Sequence, residues 1–233
     1  MLSFILPAHN EEALLGETLR ALRAAADAAG EPFELIVVDD ASTDRTAEVA
    51  AAGGAKVVPV NFRKISAVRN AGARVARGDV LIFVDADTLV PPETLAGVLK
   101  ALNERAVGGG AWVKLESNVP LWGRILANLI IGIYVRLGHA GGCFLFTRRE
   151  AFEAAGGFDE SYYATEEMHL SKALKRQGRF VIVREPVITS GRKFRVFSPW
   201  DFLKLTGRFL FGGGFRRVQR REGLEMWYQA PRE

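Results

Sequence analysis

Val80-Leu81-Ile82-Phe83-Val84-Asp85-Ala86-Asp87-Thr88 sets five apolar residues in a row against two carboxylates. A short, continuous apolar run reads as a strand buried on both faces, the kind found in the middle of a parallel sheet. In open α/β sheets ligands sit in the crevice beyond the carboxyl ends of the strands, so Asp85 and Asp87 emerge where chemistry is expected. Two carboxylates so close repel each other unless a cation lies between them. A hard divalent ion that shares its shell with phosphate oxygens meets that need. Asp-x-Asp is short enough to recur by chance, so its meaning depends on the rest of the chain.

Outward from this stretch the pattern repeats. Residues 2–7 and 33–38 read as further buried strands, the first running into Glu11 and Glu12, the second into Asp39 and Asp40. A short strand is expected at 56–60. Helices are expected at 13–29, 41–52, 65–76 and 92–103, with Asn10 as N-cap of the first and Pro91-Pro92 in the first turn of the last. Asp44 reads as an acid favoured at a helix start and nothing more. Strands alternating with helices at this spacing mean βαβ units and a right-handed, mostly parallel sheet.

Past residue 105 the pattern loosens. Gly108-Gly109-Gly110 precedes a strand near 111–115, an apolar helix spans 121–137, and a glycine-flanked strand covers 143–146. Thr147-Arg148-Arg149-Glu150 has the spacing of a capping box. A turn at Gly156-Gly157-Phe158-Asp159-Glu160 leads to a helix at 166–177 stopped by Gly178, then to strands at 180–183 and 187–189. Ser198-Pro199 opens a final helix.

The 233 residues suit one large α/β domain with an elaborated end. A lone Cys143 excludes an internal disulfide framework and a cysteine-rich metal site, which makes a reducing compartment the default. No secretory signal is expected before the first strand. Residues 125–135 fall well short of the roughly 20 apolar residues that span a bilayer, so no transmembrane segment is expected. The net charge of +4 is uneven, because nine Lys or Arg and one acid, Asp201, fall between Arg192 and Arg221. A basic end on a mildly acidic body suits an anionic partner, phosphate groups or a lipid surface, and equally a merely solvated charged end. A nucleic-acid partner is not expected.

Pro7-Ala8-His9-Asn10-Glu11-Glu12, Val37-Val38-Asp39-Asp40-Ala41-Ser42-Thr43-Asp44, Arg69-Asn70-Ala71-Gly72, Asp85-Ala86-Asp87 and Gly156-Gly157-Phe158-Asp159-Glu160 with Glu166-Glu167 resemble, in order and spacing, the family 2 glycosyltransferases. The resemblance covers roughly residues 1–190. It implies an α/β fold of GT-A (Rossmann-like) type, a mixed, mostly parallel sheet flanked by helices, here with a C-terminal helical basic tail. It also implies a nucleotide-diphosphate sugar donor, Mg²⁺ or Mn²⁺, and inversion at the anomeric carbon. The expected division is a transferase domain at 1–190, with a nucleotide-binding half to about 105 and an acceptor half at 106–190, followed by a basic amphipathic extension at 191–233.

Carried over residue by residue, the resemblance makes Pro7, Ala8 and Glu11 contacts to the nucleoside, Asp39 a partner of the base, and Arg69 a neighbour of the nucleotide. Asp85 contacts ribose or metal and Asp87 is the metal ligand. The family usually has Glu-Asp where this chain has Glu166-Glu167, the Asp serving as base. Glu167 is the aligned residue with a side chain one methylene longer, and Glu166 stays its rival. His169 is either a further metal ligand or a surface histidine, and His139 either touches acceptor or diphosphate or does not.

Other classes are weighed by what they leave over. A phospho-acceptor signalling domain also gathers acids at strand ends but is complete in about half this length. A silent nucleotide-sugar-binding protein of the same fold has no need of intact Asp85, Asp87 and Glu167. The turn after the first strand lacks Gly-x-Gly-x-x-Gly, which disfavours a dinucleotide-dependent oxidoreductase. The Gln-x-x-Arg-Trp element and transmembrane helices of processive synthases are missing too, so transfer of one sugar per encounter is expected. In the tail, Phe202, Leu205 and Phe209 recur at helical spacing near Arg216, Arg217, Arg220 and Arg221. That pattern fits a helix lying on an anionic membrane or one packed on the catalytic domain. The membrane reading makes the protein cytoplasmic and peripheral on the inner face of the membrane, with a lipid-linked acceptor hydroxyl.

Overall fold

A computed structural model describes residues 1–201. Its strands are β1 (Leu2–Ala8), β2 (Phe33–Asp40), β3 (Lys56–Val60), β4 (Val80–Val84), β5 (Thr88–Leu89), β6 (Gly108–Leu115), β7 (Phe144–Arg148) and β8 (Phe180–Thr189). Its helices are α1 (Leu15–Ala29), α2 (Thr46–Ala52), α3 (Ile65–Val75), α4 (Pro92–Asn103), α5 (Leu121–Arg136), α6 (Arg149–Ala154), α7 (Glu166–Lys175) and α8 (Arg192–Val196). The strands form one sheet in the order β3-β2-β1-β4-β7-β6-β8-β5. β1, β2, β3 and β4 are parallel, as are β6 and β8, while β7 runs antiparallel to β4 and β6 and β5 antiparallel to β8. The sheet is therefore mostly parallel, as the spacing predicts, and mixed, as the family resemblance implies.

Period-two alternation explains why the central strands are continuously apolar. Phe4, Leu6, Ile82 and Val84 join Leu15, Leu19 and Leu22 of α1 and Leu95, Val98 and Leu102 of α4 on one face. Ile5, Leu81 and Phe83 join Val68 and Ala71 of α3 and Leu170 and Leu174 of α7 on the other. Each such side chain contributes roughly 1.5–3 kcal/mol on burial, and two filled faces fix β1 and β4 at the centre. Phe83 also meets Phe158 edge-on, with ring centroids 4.9 Å apart, which pins the Gly156-Gly157 turn under the strand that carries the acids.

Several local expectations are corrected. Gly108–Gly110 belong to β6, because a Cβ on Gly109 would lie 1.9 Å from the Val181 carbonyl and one on Gly110 2.7 Å from Ala140. The Thr147 hydroxyl donates to the carbonyls of Val107 and Arg148 from within β7, so no capping box forms and α6 starts without a side-chain cap. Asn10 does not cap α1. It takes a left-handed conformation at φ 53°, and its side-chain oxygen accepts from the Thr43 amide instead. α2 begins at Thr46 rather than 41, since Asp39, Asn10 and Asp44 accept the amides of Ser42, Thr43 and Thr46 and hold the segment as turns. The two late strands are one strand, β8, whose pairing with β6 shifts register between Ala111 and Val113. α8 was unforeseen. The final helix does begin at Pro199, where Asp201 accepts from the amide and hydroxyl of Ser198. The apolar stripe from Phe202 and the four arginines at 216–221 lie outside the described residues.

Candidate active site

The Asp85-Ala86-Asp87 turn is held from four sides. The Asp85 amide donates to the Cys143 carbonyl at 3.0 Å and the Thr88 amide to the Asp85 carbonyl at 3.0 Å. The buried hydroxyl of Thr18 in α1 donates to the Ala86 carbonyl at 2.8 Å, and the Ser190 amide to the Asp87 carbonyl at 3.2 Å. Backbone groups that have no ladder partner at a strand's end are thus satisfied, and both carboxylates leave the turn in fixed directions. Burial pushes the Asp87 carboxyl up to about 6, with the charges of Asp85 and Glu11 adding to it and Arg192 and Lys193 opposing. Three acids so crowded create a local demand for positive charge.

Arg69 of α3 organises the other side. Its guanidinium donates to Glu166 at 2.7 Å, to Asp85 at 2.9 Å and to the Gly142 carbonyl at 2.6 Å, and lies 5.3 Å from the Phe158 ring centroid. Arg69 is only 2 % exposed, so it does not present its own donors to solvent. Desolvation opposes its charge, and Asp85, Glu166 and Glu167 more than restore it.

The two rival carboxyls at the start of α7 differ in kind. Glu166 is the ion-pair partner of Arg69. Glu167 forms no ion pair at contact distance among the described residues, lies beside Gly142, and is pushed up to about 8, by burial first and by the Glu166 charge next. Tyr134 of α5 stands near enough to both for their charges to add to the burial that holds its phenol up. A buried carboxyl tuned to near-neutral pH beside a charged partner is the arrangement expected of a general base.

On the far side of the acid turn, Glu11 is 7 % exposed, and Arg192 of α8 grips its carboxylate with two donors at 3.1 and 3.3 Å. The same guanidinium stands 3.7 Å from Asp87. Asp39 is half-buried and accepts from the Ser42 amide, while Asp40 accepts the amides of Phe62 and Arg63. Pro7 and Ala8 end β1, in register with Val38 and Asp39 of β2. The structure therefore brings Glu11, Asp85 and Asp87 together, with Glu166 and Glu167 across Arg69. Pro7, Ala8 and Asp39 line the neighbouring strand ends.

Arg69 takes Oδ1 of Asp85, which leaves its Oδ2 and the Asp87 carboxylate as hard oxygen donors. Among the described residues no three His, Cys, Asp or Glu side chains are arranged to hold a metal ion by themselves. Mg²⁺ and Mn²⁺ held by one or two carboxylates complete their shells with substrate phosphates and water, so the donor set fits such an ion. His169 stacks on Tyr162 with centroids 3.9 Å apart. His139 is buried, with Lys172 and Lys175 holding its imidazole toward the neutral form after desolvation. Arg192 escaped the sequence analysis as a site residue, because a contact across 181 positions leaves no mark in spacing; its one signal was the start of the basic end.

Strand order, helices on both faces and acids gathered beyond the central strands define a GT-A-type α/β protein. A family model described as Glycosyl transferase family 2 matches residues 3–156, and the chain belongs to that family. It is 34 % identical over 166 residues to the undecaprenyl-phosphate 4-deoxy-4-formamido-L-arabinose transferase of Pseudomonas paraeruginosa, covering 66 % of this chain and 49 % of that protein. The chain thus spans about half the length of that relative. Among solved structures, a Pyrobaculum calidifontis mannosyltransferase in complex with GDP-Man and Mn²⁺ aligns at TM-score 0.67 and 22 % identity, over 88 % of this chain and 60 % of that one. The glucosyl-3-phosphoglycerate synthase of Mycobacterium tuberculosis, in complex with Mn²⁺, UDP and glucosyl-3-phosphoglycerate, aligns at 0.61 and 21 %, over 100 % and 81 %. No helix among the described residues is long and apolar enough to cross a membrane.

Proposed function

We propose that this protein transfers one sugar from a nucleotide-diphosphate donor to an acceptor hydroxyl with inversion. The supporting observation is the split of the two α7 carboxyls, Glu166 committed to Arg69 and Glu167 raised to about 8 with no ion pair at contact distance among the described residues. Glu167 accepts the hydroxyl proton as that oxygen attacks the anomeric carbon from the face opposite the diphosphate. The bond to the diphosphate breaks, and its electron pair leaves with the nucleotide. Glu11, Asp39, Pro7 and Ala8 receive the nucleoside, and Arg69 acts as a positioning residue that fixes Glu166 and Asp85. Asp87 and Asp85 would hold Mg²⁺ or Mn²⁺, which when bound neutralises charge gathering on the leaving diphosphate.

A lipid-linked acceptor and a cytoplasmic, membrane-peripheral location suit the relative's undecaprenyl-phosphate acceptor. That relative's name also supports a second reading, in which a lipid phosphate is the nucleophile. A phosphate oxygen is already ionised and needs no base, so a tuned Glu167 favours the hydroxyl. The test is release of nucleotide from a panel of nucleotide sugars with Mn²⁺ and polyprenyl acceptors. Turnover that Asp87→Asn abolishes without lowering the melting temperature is expected. Full turnover of that variant in excess chelator removes the assignment of Asp87.

A further inference from the structure

α5 is two-faced. Gly123 and Ala127 are buried, with Gly123 closed over by Phe194 and Trp122 edge-on to the same ring at 5.9 Å. Near the other end Tyr134 faces the Glu166–Glu167 pair, whose charges act on its phenol. On the outer face Leu121, Ile125, Leu129, Ile133 and Leu137 follow one another at four-residue spacing, 47–72 % exposed. Scattered apolar residues are ordinary on a surface, whereas a row of this kind, about 24 Å long at 1.5 Å per residue, marks an interaction surface.

Charge narrows what covers it. Arg124 and Arg136 are exposed on this helix, and there is no Asp or Glu from residue 117 to 149. A second copy docked through the same stripe brings arginines toward arginines with no acid on the helix to meet them. Residues 202–233 carry seven basic and three acidic side chains, so they too meet α5 with like charge. An anionic lipid bilayer supplies both requirements at once, acyl chains for the stripe and acidic headgroups for the arginines. Sixteen residues are too few to cross a bilayer, so the helix lies in its plane.

We infer that α5 is a membrane-interface helix that seats the acceptor side of the site on an anionic bilayer. The naming of that side rests on the function proposed above, while the surface itself does not. With the outer face in the headgroup region, Tyr134 turns toward the Glu166–Glu167 pair on the protein side of the helix. An acceptor carried in the lipid therefore reaches the base without leaving the membrane.

The test is flotation of the full chain with vesicles of phosphatidylcholine, with and without phosphatidylglycerol. Binding that requires phosphatidylglycerol and weakens with salt is expected, and Leu129→Glu with Ile133→Glu should lower the partition coefficient at least tenfold. The melting-temperature shift given by a nucleoside diphosphate should be unchanged in that variant. Partitioning of the double variant within twofold of the unaltered protein overturns the inference, as does loss confined to a variant with Ser at Arg216, Arg217, Arg220 and Arg221. A polarity-sensitive dye on Leu129→Cys should shift to the blue only when vesicles are added. Blue emission beforehand that vesicles leave unmoved means the protein covers its own stripe, which also overturns it. Absence of any nucleotide-induced shift in the unaltered protein counts against the proposed function, and the vesicle result still decides the role of α5.

Discussion

Glu167→Gln separates chemistry from stability in a way that depends on pH. The carboxyl moves from an ordinary 4.5 in the unfolded chain to about 8 in the fold. Between those values the folded state holds a proton that the unfolded state has lost, so stability falls as pH rises across the window. At about 1.4 kcal/mol per pH unit the ionised side chain costs on the order of 4 kcal/mol by pH 8. Gln copies the neutral acid and carries no such penalty. Thermal unfolding from pH 5 to pH 9 should show matched melting temperatures near pH 5 and a variant more stable by roughly 10 °C at pH 9, taking about 2–4 °C per kcal/mol for a chain of this size. Activity moves oppositely. The kcat/KM of the unaltered protein should climb about tenfold per pH unit up to about pH 8, and the variant should lose roughly 10²–10⁴-fold at and above pH 8 and show no such climb below it. Parallel melting curves would show that Glu167 is not held protonated. A variant rate within tenfold of normal would show that no base is needed and would favour a phosphate nucleophile.

Arg69→Met should cost about 3–5 kcal/mol in urea unfolding, because it leaves Glu166 buried without its cation; Glu166→Gln added to it should restore part of that loss, and equal stability of the single and double variants would contradict the pairing. Gly109→Ala should fail to accumulate as folded protein, since its Cβ meets the Val181 carbonyl at 1.9 Å and the Phe146 ring at 2.6 Å, and a normal circular dichroism melt would refute the register of β6 against β8. Arg192→Gln removes a charge that holds the Asp87 carboxyl down, so the lower of the two inflections on the acid side of kcat/KM should move to higher pH from about 6, and an inflection left in place would mean that the α8 arginine does not reach Asp87 in solution.

What the sequence discloses about this molecule follows how far apart the interacting residues are. β4 and its two acids are legible because burial on both faces demands apolar residues without a break, and the break itself marks the sheet's edge. β3 and α4 are legible for a similar reason, since Pro92 and the run from Lys56 act within a few residues of themselves. Local reasoning fails where a side chain serves a distant partner in preference to its neighbours. Thr147 has the spacing of a cap, yet its hydroxyl is taken by Val107 across forty positions. Gly108–Gly110 have the composition of a loop, yet they are glycine because β8 and β7 press on both sides. The site obeys the same division. Glu11, Asp85 and Asp87 can be found by reading strand ends, but the choice between Glu166 and Glu167 cannot, because adjacent acids in a helix's first turn have equal local standing. Arg69, nearly a hundred positions earlier, breaks that symmetry by engaging Glu166 and leaving Glu167 buried beside a negative charge. In the mechanism we propose, the base is the carboxyl that the distant arginine does not take, and a substitution in α3 should change the pH dependence of a residue in α7.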